Sequence, residues 1–356
     1  MIDIAIYHES AFEGNSTETR PLGGTETSEI YLTRELARLG FRTAIFCDCQ
    51  KPGYYRGVEF VNLKHFGDYS STYRTKVLIV QTNPKIFLQD LNATHKVYWS
   101  TGTHTVRANQ PLTDPGVRAA VDEYIFLSKW QADSFIKHFK LDRKKAFITR
   151  NGVDLSLFRD RTITRERYRL IYSSEPARGL DVLLDIFPIV KKDVPELSLY
   201  IFSDHEIYGG AKGSAYEEHR KMFEKTKQPG IFNMGNVKQS DLAKEFLKSR
   251  VMAYPCHFEE TSCISAIEAQ AAGVPVLSTK LAALNETVVN GVTGELISGN
   301  AASWLYKMRF AGELKKLLKD EVLWNRLSLN GIERANKVHS WAMIASEWKE
   351  RFKRYI

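Results

Sequence analysis

Glu260 and Glu268 are the residues whose types and spacing first suggest chemistry. Seven residues lie between them in the stretch VMAYPCHFEETSCISAIEAQAAGVPVLS, residues 251–278. Two carboxylates can act as acid and base, or each can hold hydroxyls with its two oxygens. An isolated pair would read as a solvated loop acid and a helix surface acid. The otherwise apolar run ISAIEAQAAG around Glu268 argues against that here.

The elements that must position the pair are legible. Short apolar runs at Val251–Tyr254 and Pro275–Ser278 read as buried strands. Between them the pattern predicts a helix over 265–272, with Gly273 as its C-cap. Glu268 then lies in the helix and Glu260 in the loop leading to it. Strand, loop, helix and strand form the unit of a parallel α/β sheet, which binds ligands at the carboxyl ends of its strands. The helix start offers free N–H groups to an anion.

Composition sets outer bounds. A chain of 356 residues with 43% hydrophobic and 26% charged residues predicts a globular protein of two domains. No apolar run approaches the ~20 residues that span a bilayer. MIDIAIYHES has no basic leader region and carries Asp3, so it reads as a first strand rather than a signal peptide. Cys47, Cys49, Cys256 and Cys263 suggest no disulfide scaffold, and a cytoplasmic setting is expected. Cys47 and Cys49 have no second pair nearby and read as strand-end packing rather than a metal site. Cys263 reads as a small buried residue without an accompanying base. A net charge of +8 favours an anionic partner. No long basic run or zinc-finger spacing is present, so nucleic acid is the weakest choice, behind a nucleotide and a phospholipid surface.

Taken in order, Ile2–Tyr7 reads as a strand, followed by a polar loop to Leu22, the pair Gly23-Gly24 and a helix over 25–39. Two glycines at a strand-to-helix turn are weak evidence for phosphate binding, because ordinary turns use them too. Strands follow near residues 42–47, 58–61, 77–81, 96–99 and 124–128, then a helix over 129–140 and a strand at 146–149. That helix interleaves Trp130, Phe135 and Phe139 with Lys137, His138 and Lys140. It reads as half core and half solvated face, with contact to a membrane surface as the alternative. Asn151–Asp154 and the charged run after it mark a linker. The β/α alternation then restarts, with a polar excursion over 205–228, a helix expected over 281–289, and a helical tail from Ala301 interrupted near Asp320 and at Ser340. The expected domains are 1–155 and 165–338, with 339–356 as a helix crossing back to the first.

The chain resembles the family-4 glycosyltransferases. The resemblance rests on the Gly23-Gly24 loop, FLSKWQADSF, RNGVDLSLF, IYSSEPARGLDVLL and EETSCISAIEAQAAGVPVL, in that order. It implies an α/β GT-B fold: two facing Rossmann-like doubly wound domains, with a helical C-terminal tail packing back toward the first. It implies a retaining, metal-independent transferase that uses a nucleoside diphosphate sugar as donor, uridine ahead of guanosine, and no cofactor. Glu260 would then take hydrogen bonds from the donor sugar and Glu268 from the ribose. Arg178 and the N–H groups around Ser262, Cys263 and Ile264 would face the diphosphate. The base would lie near 234–237, including Val237, and Gly23-Gly24 would close over the diphosphate from the other domain. The family's histidine at the end of a first-domain strand would correspond to His104, with Thr101 as the alternative.

One departure stands out. Where the family has an arginine five or six residues before its basic partner, this chain has Tyr172 and Ser173. Either Arg178 suffices, or Arg20 or Lys212 compensates, or the diphosphate is held less tightly. The acceptor, expected to be a glycan or lipid-linked glycan, falls to loops 8–22 and 100–114, whose sequences name no ligand. A nucleotide-sugar epimerase and a non-catalytic nucleotide-sugar binder are the rival readings.

Overall fold

A computed structural model of the chain describes residues 2–160, 162–203 and 220–356. The excursion expected from His205, with Lys212, lies largely outside the described residues. The chain divides into two compact units. One comprises Met1–Thr19, Gly24–Gly152 and Trp341–Ile356; the other comprises Arg20–Gly23 and Val153–Ser340.

The sheet of the first unit contains β1 (Ile2–Tyr7), β2 (Thr43–Cys47), β3 (Gly53–Tyr55), β4 (Val58–Asn62), β5 (Thr75–Val80), β6 (Ala93–Trp99), β7 (Glu123–Phe126) and β8 (Ala146–Ile148). Their order is β3-β4-β2-β1-β5-β6-β7-β8, and every neighbouring pair is parallel except β3 with β4. Strand β1 is buried along its whole length, which explains why it is apolar except for Asp3, an acid paired with Arg42 and Lys76. The antiparallel β3 has no apolar pattern to announce it, being a short, largely exposed edge. Helix α1 (Gly24–Arg38) carries Glu26 in its first turn, where the dipole favours acid, and the chain leaves it through Gly40 at φ +95°. Helix α2 (Lys129–Phe139) starts under a cap from Ser128 and turns Phe135 and Phe139 into the core. Its aromatic face is therefore occupied, and Lys129, Lys137 and Lys140 remain exposed.

The second unit is also a parallel sheet: β9 (Arg169–Tyr172), β10 (Ser198–Ile201), β11 (Ile231–Asn233), β12 (Val251–Tyr254), β13 (Val276–Thr279) and β14 (Gly294–Ile297), in the order β11-β10-β9-β12-β13-β14. Helices α3 (Leu180–Lys191), α4 (Gln239–Lys248) and α5 (Ile264–Ala271) follow strands in the manner of a Rossmann unit, and α6 (Trp304–Lys319) and α7 (Glu321–Val338) extend it. Strand order reverses between β9 and β12, the switch point where such sheets bind ligands. The helix expected over 281–289 is reduced to Leu284–Thr287. Ala282 sits at φ +46°, which breaks the helical path before it, and Thr293 Oγ1 takes the Val289 N–H after it.

The last helix, α8 (Trp341–Phe352), belongs to the first unit. Trp348 is fully buried against Trp99, ring centroids 5.1 Å apart, and its indole donates to Thr149 Oγ1 at 3.1 Å. Arg150 grips Glu347 through both terminal nitrogens, and Arg351 reaches the buried Glu123 at 2.8 Å. At Gly152 a Cβ would lie 2.6 Å from the Trp341 ring, so glycine lets the chain pass that ring. Trp348→Ala should destabilise the first unit by about 3–5 kcal/mol. Trp348→Phe should cost markedly less, and urea denaturation of both variants checks the order.

Candidate functional site

In the second unit the switch point carries the charged residues that the sequence singled out. Strand β9 runs into a turn holding Arg178, and β12 runs into the loop holding Glu260. Gly179 brings the two together. It adopts φ +132°, and a Cβ there would sit 2.4 Å from the Pro255 carbonyl oxygen. Only glycine allows that approach.

Arg178 Nη1 then donates to Glu260 Oε1 at 3.1 Å, and the guanidinium lies 4.3 Å from the centre of the Phe258 ring. Glu175 flanks it at 4.0 Å. The same Glu260 oxygen accepts from the Tyr254 hydroxyl at 2.6 Å, and Tyr254 is bonded in turn to Ser174 at 3.0 Å. Burial, and then the neighbouring Glu260, hold the Tyr254 phenol far above its usual pKa, so it stays a donor. The Glu260 backbone is fixed by Ala283 N–H at 3.1 Å. The bonds from Arg178 and Tyr254 both use Oε1 and leave Oε2 out.

Glu268 lies on the inner side of α5 and is 4% exposed. Gln239, at the start of α4, donates to its Oε1 at 3.1 Å. Burial raises the carboxyl to about 7, and the Gln239 bond only partly offsets this. The buried Gln239 Oε1 is itself without a partner. These acceptor atoms suit a pair of adjacent hydroxyls. Ser262 and Cys263 are buried just before α5, with Cys263 at the N-cap and Ile264 as the first helical residue. Cys263 contributes no side-chain cap, and burial pushes its thiol well above the ordinary value, which rules out a thiolate nucleophile at neutral pH. Val237 is half-buried against the core of this unit, beside Gly235 at φ +66°.

Tyr172 accounts for the missing cation. It is wholly buried, its ring meets Tyr254 at 5.7 Å, and its hydroxyl donates to the Glu175 carbonyl at 2.9 Å. The position supports the turn that carries Arg178, and no charge there points to a ligand. Phe258, Tyr254 and Gln239 were missed in the sequence because aromatic and amide side chains carry no spacing signature; only their neighbourhood identifies them.

Gly23 ends the short piece grouped with the second unit, and Gly24 opens α1 in the first. Neither adopts a positive φ. His104 turns toward α2, with its ring 4.7 Å from His138 and 6.5 Å from Phe135. Thr101 instead meets Thr25, the second residue of α1, at 2.9 Å. Of the two, Thr101 stands beside the glycine turn. A buried pair that no sequence pattern marks lies in the same unit: His8, just beyond β1, bonds Glu29 of α1 at 2.9 Å. Burial alone would lower the imidazole's pKa, but the Glu29 carboxylate outweighs it and holds the group above its ordinary value.

Two Rossmann-like units, the second with its carboxylates and Arg178 at the switch point, make this a GT-B fold. Residues 160–334, just under half of the chain, match the model of the family described as glycosyl transferases group 1. The D-inositol 3-phosphate glycosyltransferase of Streptomyces avermitilis is 29% identical over 198 residues, which are 51% of this chain and 42% of that protein. The protein of the same name from Streptomyces scabiei is 30% identical over 200 residues, 52% and 44% of the two chains. The chain thus matches less than half the length of these relatives. Among solved structures, a sucrose-phosphate synthase from Thermosynechococcus elongatus superposes with a TM-score of 0.78 at 16% identity, covering 99% of each chain. HepE from Anabaena, in complex with UDP and glucose, gives 0.72 at 14% identity, covering 99% of this chain and 100% of that one.

The raised Glu268 carboxyl has a consequence for stability. Its pKa rises from 4.5 unfolded to about 7 folded, so the unfolded chain ionises first and the fold loses stability as pH climbs through that window. Glu268→Gln removes a cost on the order of 3 kcal/mol. The variant should melt higher than the parent at pH 8, with the gap shrinking toward pH 5, as followed by thermal denaturation at the two pH values.

Proposed function

We propose that the protein transfers a glycosyl residue from a nucleoside diphosphate sugar to a hydroxyl of a glycan or lipid-linked glycan, with retention of anomeric configuration. The observation that carries this reading is the pair Glu260 and Glu268. Both lie within the family-matched segment, are buried at the switch point, and keep an oxygen for a ligand hydroxyl. Glu268 and Gln239 would take the ribose hydroxyls, and Glu260 Oε2 a hydroxyl of the transferred sugar. Arg178 and the first N–H groups of α5 would face the diphosphate, whose negative charge grows as the bond to the sugar breaks. The reading gives that task to these groups rather than to a metal. HepE's complex with UDP-glucose supports uridine as the base.

In the reaction the bond from the anomeric carbon to the diphosphate oxygen breaks. The acceptor oxygen bonds to the same face of that carbon, and its proton passes to the leaving diphosphate. The side chains orient the reactants and stabilise charge, and none forms a covalent intermediate. The exposed lysines of α2 would draw the first unit toward an anionic cytoplasmic membrane face when the acceptor is lipid-linked.

Incubation with a panel of nucleotide sugars and hydroxyl acceptors should release the nucleoside diphosphate. Glu268→Ala should weaken donor binding about tenfold to a hundredfold, and Glu260→Ala should lower turnover by a similar factor. Donor affinity should also fall as pH drops below about 7, where Glu268 gains a proton and one hydroxyl acceptor is lost. Full transfer activity in both alanine variants would overturn the assignment.

A further inference from the structure

The carboxyl edge of the first sheet holds polar atoms that the donor site does not use. Tyr7 and Val80 are register partners in β1 and β5, and Val80 partners Tyr98 in β6. The next residues, His8, Gln81 and Trp99, therefore share one face of the sheet, on strands ~4.8 Å apart. Backbone bonds continue the ladder one step further: Gln81 N–H to the Tyr7 carbonyl and His8 N–H to the Phe46 carbonyl, both 3.0 Å. That face is covered by α1, which supplies Glu29, and by α8, which supplies Trp348.

His8, Glu29 and Gln81 are 5%, 0% and 4% exposed. Glu29 Oε2 is bonded to His8, but Glu29 Oε1 has no partner, and neither do the Gln81 amide nitrogen and the Trp99 indole nitrogen. Leaving such atoms buried and unpaired is unfavourable, because each has lost its bonds to water without a replacement. Two of the three are donors and one is an acceptor. A hydroxyl both gives and receives a hydrogen bond, so hydroxyl groups satisfy such a set; an ammonium cannot accept, and a phosphate dianion cannot donate.

The charge around the edge separates these ligands further. Glu9 accepts from Tyr7 and Asn83, and Glu26 accepts from Ser10, so two more carboxylates lie near His8. The buried Arg34 on the same helix is spent on Gly14, Thr17 and Glu18. A phosphorylated acceptor would meet carboxylates here without a free arginine from α1 to offset them.

We propose that Glu29 with His8, and Gln81, form the acceptor subsite of the first unit, and that they select an uncharged polyol, a sugar or cyclitol without a phosphate. This rests on the transferase reading above and names the acceptor class that reading leaves open. It parts this chain from the relatives whose name specifies a phosphorylated inositol.

The test reads binding directly. Saturation-transfer NMR is run on the full chain, with and without UDP, using myo-inositol and methyl α-glucoside against inositol 3-phosphate and glucose 6-phosphate. The neutral polyols should give signal and the phosphates none. Gln81→Leu should cut the polyol signal at least fivefold while leaving the near-UV circular dichroism unchanged. His8→Asn is the second variant and should cut it likewise. Stronger binding of the phosphates, or no polyol signal in the wild type, as expected if only water fills the site, would overturn the proposal. An unchanged signal in both variants would do so as well. Nucleotide release from a donor panel is scored separately: its absence alongside intact polyol binding counts against glycosyl transfer and leaves this subsite standing.

Discussion

The close passage of Gly179 over the Pro255 carbonyl is the constraint on which the candidate donor site depends. Two loops leave neighbouring strands, β9 and β12, and only a residue without a side chain lets them touch. That contact sets Arg178 against Glu260. The Arg178–Glu260 bond in turn orients the carboxylate, and Tyr254 holds it from the other side. Such support matters because a hydroxyl-binding carboxylate works only when its free oxygen is held in place before the ligand arrives. The tyrosines below, Tyr172 and Tyr254, pack edge to face beneath these loops, so the polar site stands on a rigid aromatic floor.

Much of this was legible in the sequence because burial leaves a pattern. Short, mainly apolar runs announced β1, β12 and β13, since strands of parallel sheets are covered on both faces. Gly40 and Gly273 marked helix ends by the φ they permit. Glu268 was conspicuous because an acid within ISAIEAQAAG has nowhere polar to go. The edge strand β3 escaped notice because it is short and exposed, and the helix expected over 281–289 was cut short by backbone geometry at Ala282 that alanine does not advertise. Distance in sequence hid the rest. His8 and Glu29 are separated by a polar loop, and Gln81 sits on another strand. Their meeting depends on sheet order and register, which no local window contains.

His104 and Thr101 show the same limit at closer range. A histidine near a strand end attracts attention by its chemistry, yet its ring is packed toward α2, where Phe135 and His138 give it an apolar and aromatic surrounding. Thr101, chemically modest, lies beside α1 through its bond to Thr25. Residue type indicates what a group can do, and packing determines where it can do it. For that reason the first unit's polar edge is better defined by its buried unpaired atoms than by its histidines.

Where the resemblance implies a basic residue, this chain has Tyr172 and Ser173, which bears on the electrostatics of the proposed donor site. Among the described residues, Arg178 faces Glu260 at 3.1 Å and Glu175 at 4.0 Å. A diphosphate approaching this group competes with Glu260 for the same charge instead of meeting an idle cation. Within the proposed reaction the α5 N-terminus would share the neutralisation, with the equivalent of about half a charge spread over its first N–H groups. Sharing has a kinetic consequence within the proposed reaction. As the sugar leaves, charge accumulates on the diphosphate, and Arg178 can shift its hydrogen bonding from Glu260 toward it. The Tyr254 bond to Glu260, at 2.6 Å, does not depend on Arg178. A cation held by a carboxylate in the resting site and released to the leaving group contributes more in the transition state than in the ground state, the condition under which binding groups accelerate a reaction.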